Sequence, residues 1–354
     1  MAEIKINKQH PLYQEDLSFI LRTDGVEKLK NKKILITGAT GMLGMCMIDA
    51  LMKYNTEQNA NITIYTVGRC QEKAAARLGE YYANQLFHFV EQDVRNPFPN
   101  DLSVDYIIPA ASNTHPMAYS QYPIETIEIN YFGVKHALDK AVECGATVLC
   151  VSSVEIYGNA RGNDVFTEDY TGQLNLSTAR SCYTESKRVC ESMCQSYISE
   201  KNVDAKIVRL SRIFGPTMLE SDTKASSQFI KKALNGEDIV LKSKGEQMFS
   251  YTYVADAVSA MLCVLLNGEN GVAYNVSNND CNVRLKDFAA ECAKFAGKNV
   301  VFDMPSETEQ KGYSVASYAV LDNSRIEAIK WKAGYGFKNA INRTLEILSN
   351  EQGY

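Results

Sequence analysis

The sequence predicts an α/β fold: a doubly wound parallel sheet followed by a smaller C-terminal lobe of mixed α/β structure. Three observations lead there. Strand-like and helix-like segments alternate through the first two thirds of the chain. The strands are short, continuous apolar runs, as expected of strands covered on both faces. A glycine-rich turn joins the first strong strand to an apolar helix.

The first thirty residues read as an appendage. Gln14–Lys30 carries short amphipathic helical patterning interrupted near Gly25, and a charged spacer, Asn31–Lys33, runs into the strand Ile34–Thr37. Further strands are read at Ile62–Val67, Phe87–Val90, Tyr106–Pro109, Thr147–Ser152 and Ala205–Leu210. Helices are read between them at Met42–Asn55, Gln71–Gln85, Ile124–Cys144 and Cys182–Lys201. Such alternation builds a parallel sheet with helices on both faces. After Arg212 the rhythm breaks into shorter, mixed elements, and no repeat or low-complexity tract intervenes. This predicts an extension (1–32), a sheet domain (33–212, completed by 251–278) and a lobe made of 213–250 and 279–354.

Composition narrows the function. With 354 residues, 37 Lys+Arg against 42 Asp+Glu and a net charge of −5, the chain lacks the basic excess that a bulk grip on nucleic acid needs. Ten cysteines follow no C-x-x-C pattern and the four histidines are not paired at ligand spacing, so no metal site is expected. Free thiols in that number suit a reducing compartment, and a cytoplasmic location is expected. Met1–His10 is charged and has no signal-peptide character. The longest apolar run, Val258–Leu266, falls short of the roughly 20 residues a membrane helix requires.

Ile34–Thr37 leads into Gly38-Ala39-Thr40-Gly41-Met42-Leu43-Gly44 and an apolar helix follows at once. Glycines there allow a tight turn and close approach of backbone to a pyrophosphate, which the helix N-terminus then attracts. The fold is therefore read as Rossmann-type and the cofactor as NAD(P). The second strand ends without a carboxylate, and Arg69 follows it. An arginine there suits a 2′-phosphate, which favours NADP(H); the alternative is a solvated arginine opening the next helix. Asp93 and Val94, after the third strand, are placed to contact adenine, and Ala110, Ala111, Ser112 and Asn130 complete the expected cofactor contacts.

Tyr183 and Lys187 stand four residues apart, hence on one helix face. An ammonium beside a phenol lowers its pKa and lets it exchange a proton with a substrate hydroxyl. Upstream, Val148–Val151 delivers Ser152 and Ser153 to a strand's carboxyl end, where open α/β sheets bind ligands.

With these residues the chain resembles the extended short-chain dehydrogenase/reductases of the NAD-dependent epimerase/dehydratase type, which act on nucleotide-activated sugars. The resemblance runs from about Lys33 to about Leu348 and rests on Thr37–Gly44, Ser152–Gly158, Tyr183–Lys187 and Tyr251–Ala257. Through Ala111–Asn130 and Arg180–Glu191 it is most similar to the UDP-glucuronate decarboxylases. It implies Tyr183 as acid/base, Lys187 as its activator, Ser153 as the hydroxyl that polarises the substrate oxygen, and Glu155 as a further proton-transfer group. It places His115 and Tyr119 near the sugar, with Cys150 and Cys182 as apolar fillers close by. It also implies a homodimer, through a four-helix bundle of Ile124–Cys144 and Cys182–Lys201.

The departures are specific. Phe249 stands where the family has a pyrophosphate-binding arginine, no arginine occurs at Ser317-Tyr318, and Arg212 replaces an asparagine upstream of Gly215-Pro216. A charge has moved between pocket walls, which weakens decarboxylation as the specific reaction and puts Arg212 and Phe249 at the substrate. Two readings stay beside the epimerase/dehydratase/decarboxylase one. The first is an NADPH-dependent reductase of a nucleotide-linked keto sugar or ketose; the second is a cofactor-sensing protein without catalysis, which the intact Ser153, Tyr183 and Lys187 disfavour.

Overall fold

Seven parallel strands form the main sheet of the computed structural model, which describes residues 6–114, 116–303 and 317–349. In chain order they are β1 (Lys33–Thr37), β2 (Thr63–Gly68), β3 (Phe87–Glu91), β4 (Tyr106–Pro109), β5 (Thr147–Ser153), β6 (Ala205–Leu210) and β10 (Ala273–Val276). Their order in space is β10-β6-β5-β4-β1-β2-β3. The direction of winding therefore reverses between β1 and β4, and a crevice opens at the carboxyl ends there. β1 pairs in register with both neighbours, Ile34 facing Ile64 on one side and Tyr106 on the other.

Helices cover both faces, and each face has its own apolar core. On one side lie α2 (Met42–Gln58) and α8 (Val254–Asn267); on the other, α5 (Pro123–Cys144) packs on α6 (Ser181–Lys201). Every residue of α8 from Val254 to Leu265 is buried. Such a helix must be covered all round, and its outer cover is α1 (Pro11–Ile20), which also touches α2.

The N-terminal segment is thus anchored in the core through Tyr13, Leu17, Ile20, Val26 and Leu29 instead of hanging from it. Tyr13 is fully buried and its hydroxyl donates to Asp49 at 2.6 Å; Asp49 also accepts from Lys8 at 2.8 Å and Tyr81 at 2.7 Å. The sequence hid this because a short amphipathic helix cannot reveal which surface it covers.

The helix read at 71–85 is shorter: α3 (Gln71–Leu78) gives way to a 3-10 turn at Gly79–Tyr81. That turn brings the Tyr81 hydroxyl back to Asp49. α4 (Pro116–Gln121) precedes α5.

Beyond β6 the chain forms a second sheet from β7 (Arg212–Phe214), β9 (Met248–Tyr253), β11 (Asn282–Arg284) and β13 (Tyr318–Ala319), and a separate pair from β8 (Ile239–Leu241) and β12 (Val300–Phe302). α7 (Ala225–Leu234), α9 (Leu285–Phe295), α10 (Ser324–Ala328) and α11 (Phe337–Leu348) accompany them. β7 pairs with β9 in parallel, setting Arg212 opposite Tyr251. Among the described residues no helix is long and apolar enough to cross a membrane, and no cluster of three metal-ligating side chains occurs. The ten cysteines are all free.

Candidate active site

A cavity of about 2110 Å³ runs along the carboxyl ends of the main strands. It is large enough for two nucleotide-sized ligands, since an ordinary small-molecule site occupies roughly 300–1,000 Å³.

Its floor is the glycine turn. Gly38 has φ +71°, and a Cβ there would lie 2.7 Å from the Ala110 carbonyl oxygen. A Cβ on Gly44 would lie 2.4 Å from the Gly38 oxygen, so only glycine lets α2 start this close to β1. Among the described residues no side chain caps α2 at Gly41. Its first N–H groups therefore face the cavity with the positive end of the helix dipole, a fit for a pyrophosphate. Gly38, Thr40, Gly41, Met42, Leu43 and Gly44 all line this region.

Arg69, Asp93, Val94, Ala110, Ala111 and Ser112 also line the cavity. Arg69 is ion-paired with Glu125 of α5. Asp93 is held by Arg95 at 2.8 Å, and the hydrogen bonds from that guanidinium keep its carboxyl below the usual range. Asn130 is different. It is buried behind the wall, where its Nδ2 donates to Ser186 at 2.8 Å and its backbone carbonyl accepts from Cys190 at 3.2 Å. Asn130 thus braces α5 against the turn of α6 that carries Lys187, and does not line the cavity. His115 lies outside the described residues.

The reactive end is assembled from β5, the turn after it and α6. Ser153 closes β5 and caps a 3-10 turn at Val154–Tyr157, its Oγ accepting from the Glu155 N–H at 3.3 Å. That cap turns Glu155 toward the cavity. Tyr183 sits deep among protein atoms with its ring open to the cavity; burial raises its pKa to about 12, and a hydrogen bond with Ser153 pulls the other way. Lys187, one turn on, is 3% exposed, donates to the Val151 carbonyl at 2.8 Å and stands 6.0 Å from the Tyr183 ring centroid. The ammonium is fixed beneath the phenol by the strand that carries the serines. Cys150 and Cys182 are buried close by, Cys182 donating to the Tyr119 carbonyl at 3.6 Å.

Two stacked assemblies flank this set. Tyr119 lies against Tyr183, and the Arg180 guanidinium lies 5.5 Å over the Tyr119 ring. Across from them, Arg212 sits 3.6 Å over the Phe249 ring with its Nη2 at 3.7 Å from Glu155. Sequence reasoning missed Arg180. Its signals are position, three residues before Tyr183 and so one helical turn away, and its place at the head of the similar stretch Arg180–Glu191.

The cavity thus joins the Gly38–Gly44 turn to a serine, a phenol and a buried ammonium at the carboxyl ends of a doubly wound sheet. The chain belongs to the NAD dependent epimerase/dehydratase family, which residues 34–277 match. It is 32% identical over 247 residues to UDP-glucuronic acid decarboxylase 1 of Xenopus tropicalis, a match that spans 70% of this chain and 56% of that relative. The chain thus covers little more than half of that protein's length. Among solved structures, the dTDP-glucose 4,6-dehydratase of Streptomyces venezuelae with NAD and TYD bound is similar at a TM-score of 0.76 and 20% identity, over 90% of this chain and 98% of the other. The UDP-glucuronic acid 4-epimerase of Bacillus cereus, in complex with UDP-glucuronic acid and NAD, gives 0.75 and 18% over 89% and 98%. At such identities the likeness is one of fold.

Proposed function

We propose that the protein oxidises a carbon of a nucleotide-activated sugar at a bound nicotinamide dinucleotide and rearranges the resulting keto sugar. One observation carries the reading: Ser153, Tyr183 and Lys187 converge within the cavity whose other end is the Gly38–Gly44 cradle. The dinucleotide would be held by that cradle, Asp93, Val94 and Ala110–Ser112, and when bound it supplies the hydride acceptor.

The chain's own residues handle protons and position. Ser153 holds the oxygen of the reacting hydroxyl while Tyr183 takes its proton, and Lys187 stabilises the phenolate once formed. Glu155, turned into the same space, takes or returns a proton on the adjacent carbon. Burial raises the Tyr183 phenol, so forming the phenolate draws on the positive charge of Lys187 and on any that a bound ligand brings.

The sequence favours NADP through Arg69. The Glu125 carboxylate on that guanidinium, with Asp93 close enough to feel its charge, instead supports NAD, because a 2′-phosphate would have to displace one carboxylate and sit by the other. Homodimerisation through α5 and α6 is supported by the apolar side chains they expose. Ile124, Ile127 and Val142 share one side of α5 at helical spacing, and Val189 stands on α6.

The test incubates the protein with NAD and a panel of UDP- and dTDP-sugars, following products by mass spectrometry and absorbance at about 340 nm, where the reduced nicotinamide absorbs. A new nucleotide sugar without net reduction of cofactor is expected, and Tyr183→Phe should abolish it. Stoichiometric consumption of NADPH with a keto substrate would favour the reductase. Undiminished turnover by Tyr183→Phe would refute the assignment.

A further inference from the structure

We propose that Arg212, stacked on Phe249, is the residue that receives an anionic oxygen pair of the substrate in this chain. This rests on the nucleotide-sugar reading above. Its Nη1 is buried and has no hydrogen-bond partner among the described residues, although Arg212 lines the cavity. A guanidinium stays ionised and carries five donors in a planar fork, so a buried N–H left unpaired is costly unless a ligand completes it. Glu155 does not complete it: at 3.7 Å from Nη2 it balances charge without a hydrogen bond to Nη1.

Phe249 gives the guanidinium its direction. With the cation 3.6 Å from the ring centroid, one face of the guanidinium lies on the ring and its in-plane donors are held at a fixed tilt. One edge meets Glu155 and the other carries the unpaired Nη1. The backbone fixes the rest, because β7 and β9 are adjacent parallel strands that pair Arg212 with Tyr251, two residues beyond Phe249.

The surrounding charge has the matching sign. Arg180 and Arg212 both act on the Tyr119 phenol, and Glu155 opposes them. The cations acting on that phenol outnumber the carboxylate, which suits an anionic group. On a nucleotide sugar the fork can meet two such groups, the diphosphate or a carboxylate on the sugar, and both present the coplanar oxygens it matches.

The experiment measures equilibrium binding of UDP, UDP-glucose and UDP-glucuronate to the NAD-loaded protein, for the wild type, Arg212→Gln, Arg212→Lys and Phe249→Leu. Retained NAD and an unchanged melting profile establish that each variant is folded. Arg212→Gln should weaken binding at least tenfold, Arg212→Lys should recover part of the loss, and Phe249→Leu should lie between. Equal loss for all three probes supports the proposal with the diphosphate as the group. Loss confined to UDP-glucuronate supports it with the carboxylate. Affinities of Arg212→Gln within twofold of wild type for every probe overturn it, leaving the nucleotide-sugar reading intact. A wild type that binds none of these, nor dTDP-glucose nor GDP-mannose, overturns that reading and this proposal together.

Discussion

Tyr119 lies nearly flat against Tyr183, with ring centroids 5.6 Å apart and an interplanar angle of 26°. The two rings come from different elements, α4 and α6, so the phenol assigned as acid/base is oriented from outside its own helix. Offset-stacked rings contribute about 0.5–1.5 kcal/mol beyond their burial. The larger consequence is positional, because misplacing a reacting group by an ångström can cost about 100-fold in rate. Tyr119→Ala is therefore expected to lower kcat by one to two orders of magnitude, while Tyr119→Phe, which keeps the ring, stays within about threefold. Steady-state kinetics on a nucleotide sugar that the wild type turns over would check this; equal kcat for Tyr119→Ala would refute the positioning role.

Gly44 tests the cradle. A methyl group there would meet the Gly38 oxygen at 2.4 Å, and that oxygen belongs to backbone and cannot swing aside. Gly44→Ala must push α2 away from β1, widening the turn and misdirecting its N–H groups. The expected result is loss of NAD affinity by at least tenfold together with about 1–3 kcal/mol of stability, as overpacking typically costs. Fluorescence titration with NADH and urea unfolding measure the two effects. A variant that binds the cofactor normally would show that the turn tolerates the shift.

Much of this was legible beforehand because it follows from local rules. β4 and β6 occur at the residues read from their apolar runs, and α2, α5 and α6 begin within one residue of the start that periodicity implies. The cradle, Ser153, Glu155 and Tyr183 line the cavity, and Lys187 stands beside them, since each is set by a strand end or a helix turn. What stayed hidden depends on contacts distant in sequence. Nothing in the N-terminal segment announces that Tyr13 reaches Asp49, thirty-six residues away, or that Tyr253 donates to Asp16. Asn130 was among the expected cofactor contacts, yet its side chain faces α6, because a helix between sheet and neighbour has two polar choices that spacing alone does not separate.

Ser153 is expected to control the pH dependence of oxidation. Burial raises the Tyr183 phenol and the Ser153 hydrogen bond is the influence that lowers it. Removing the hydroxyl should therefore raise the phenol further, so Ser153→Ala shifts the rising limb of the rate–pH profile upward by about one unit. Sign matters here: a downward shift, or a fall in rate with no movement of the limb, would mean that Ser153 only binds substrate.

Asp256, in the first turn of α8, provides a test of stability against pH. Its Oδ1 accepts from the Gly334 N–H at 2.6 Å, and burial raises its carboxyl to about 7 against the opposing pull of the Gly334 and Tyr335 N–H groups and the Asn278 side chain. The folded protein thus holds a proton that the unfolded chain, with its ordinary carboxylate pKa near 3.9, gives up earlier. Between those two values the native state binds more protons, so stability falls as pH rises. The contribution is complete below about pH 4, declines by up to 1.4 kcal/mol per pH unit, and is gone above the native pKa. Asp16 and Asp49 are also raised by burial and act in the same direction, so only a comparison isolates Asp256. Asp256→Asn keeps the neutral form at every pH. Its urea midpoint should run parallel to the wild type below about pH 4, exceed it by a gap that widens between about pH 4 and 7, and keep that gap near pH 8. Parallel wild-type and Asp256→Asn curves would mean that the carboxyl is ionised throughout, its charge carried by the Gly334 and Tyr335 backbone N–H groups.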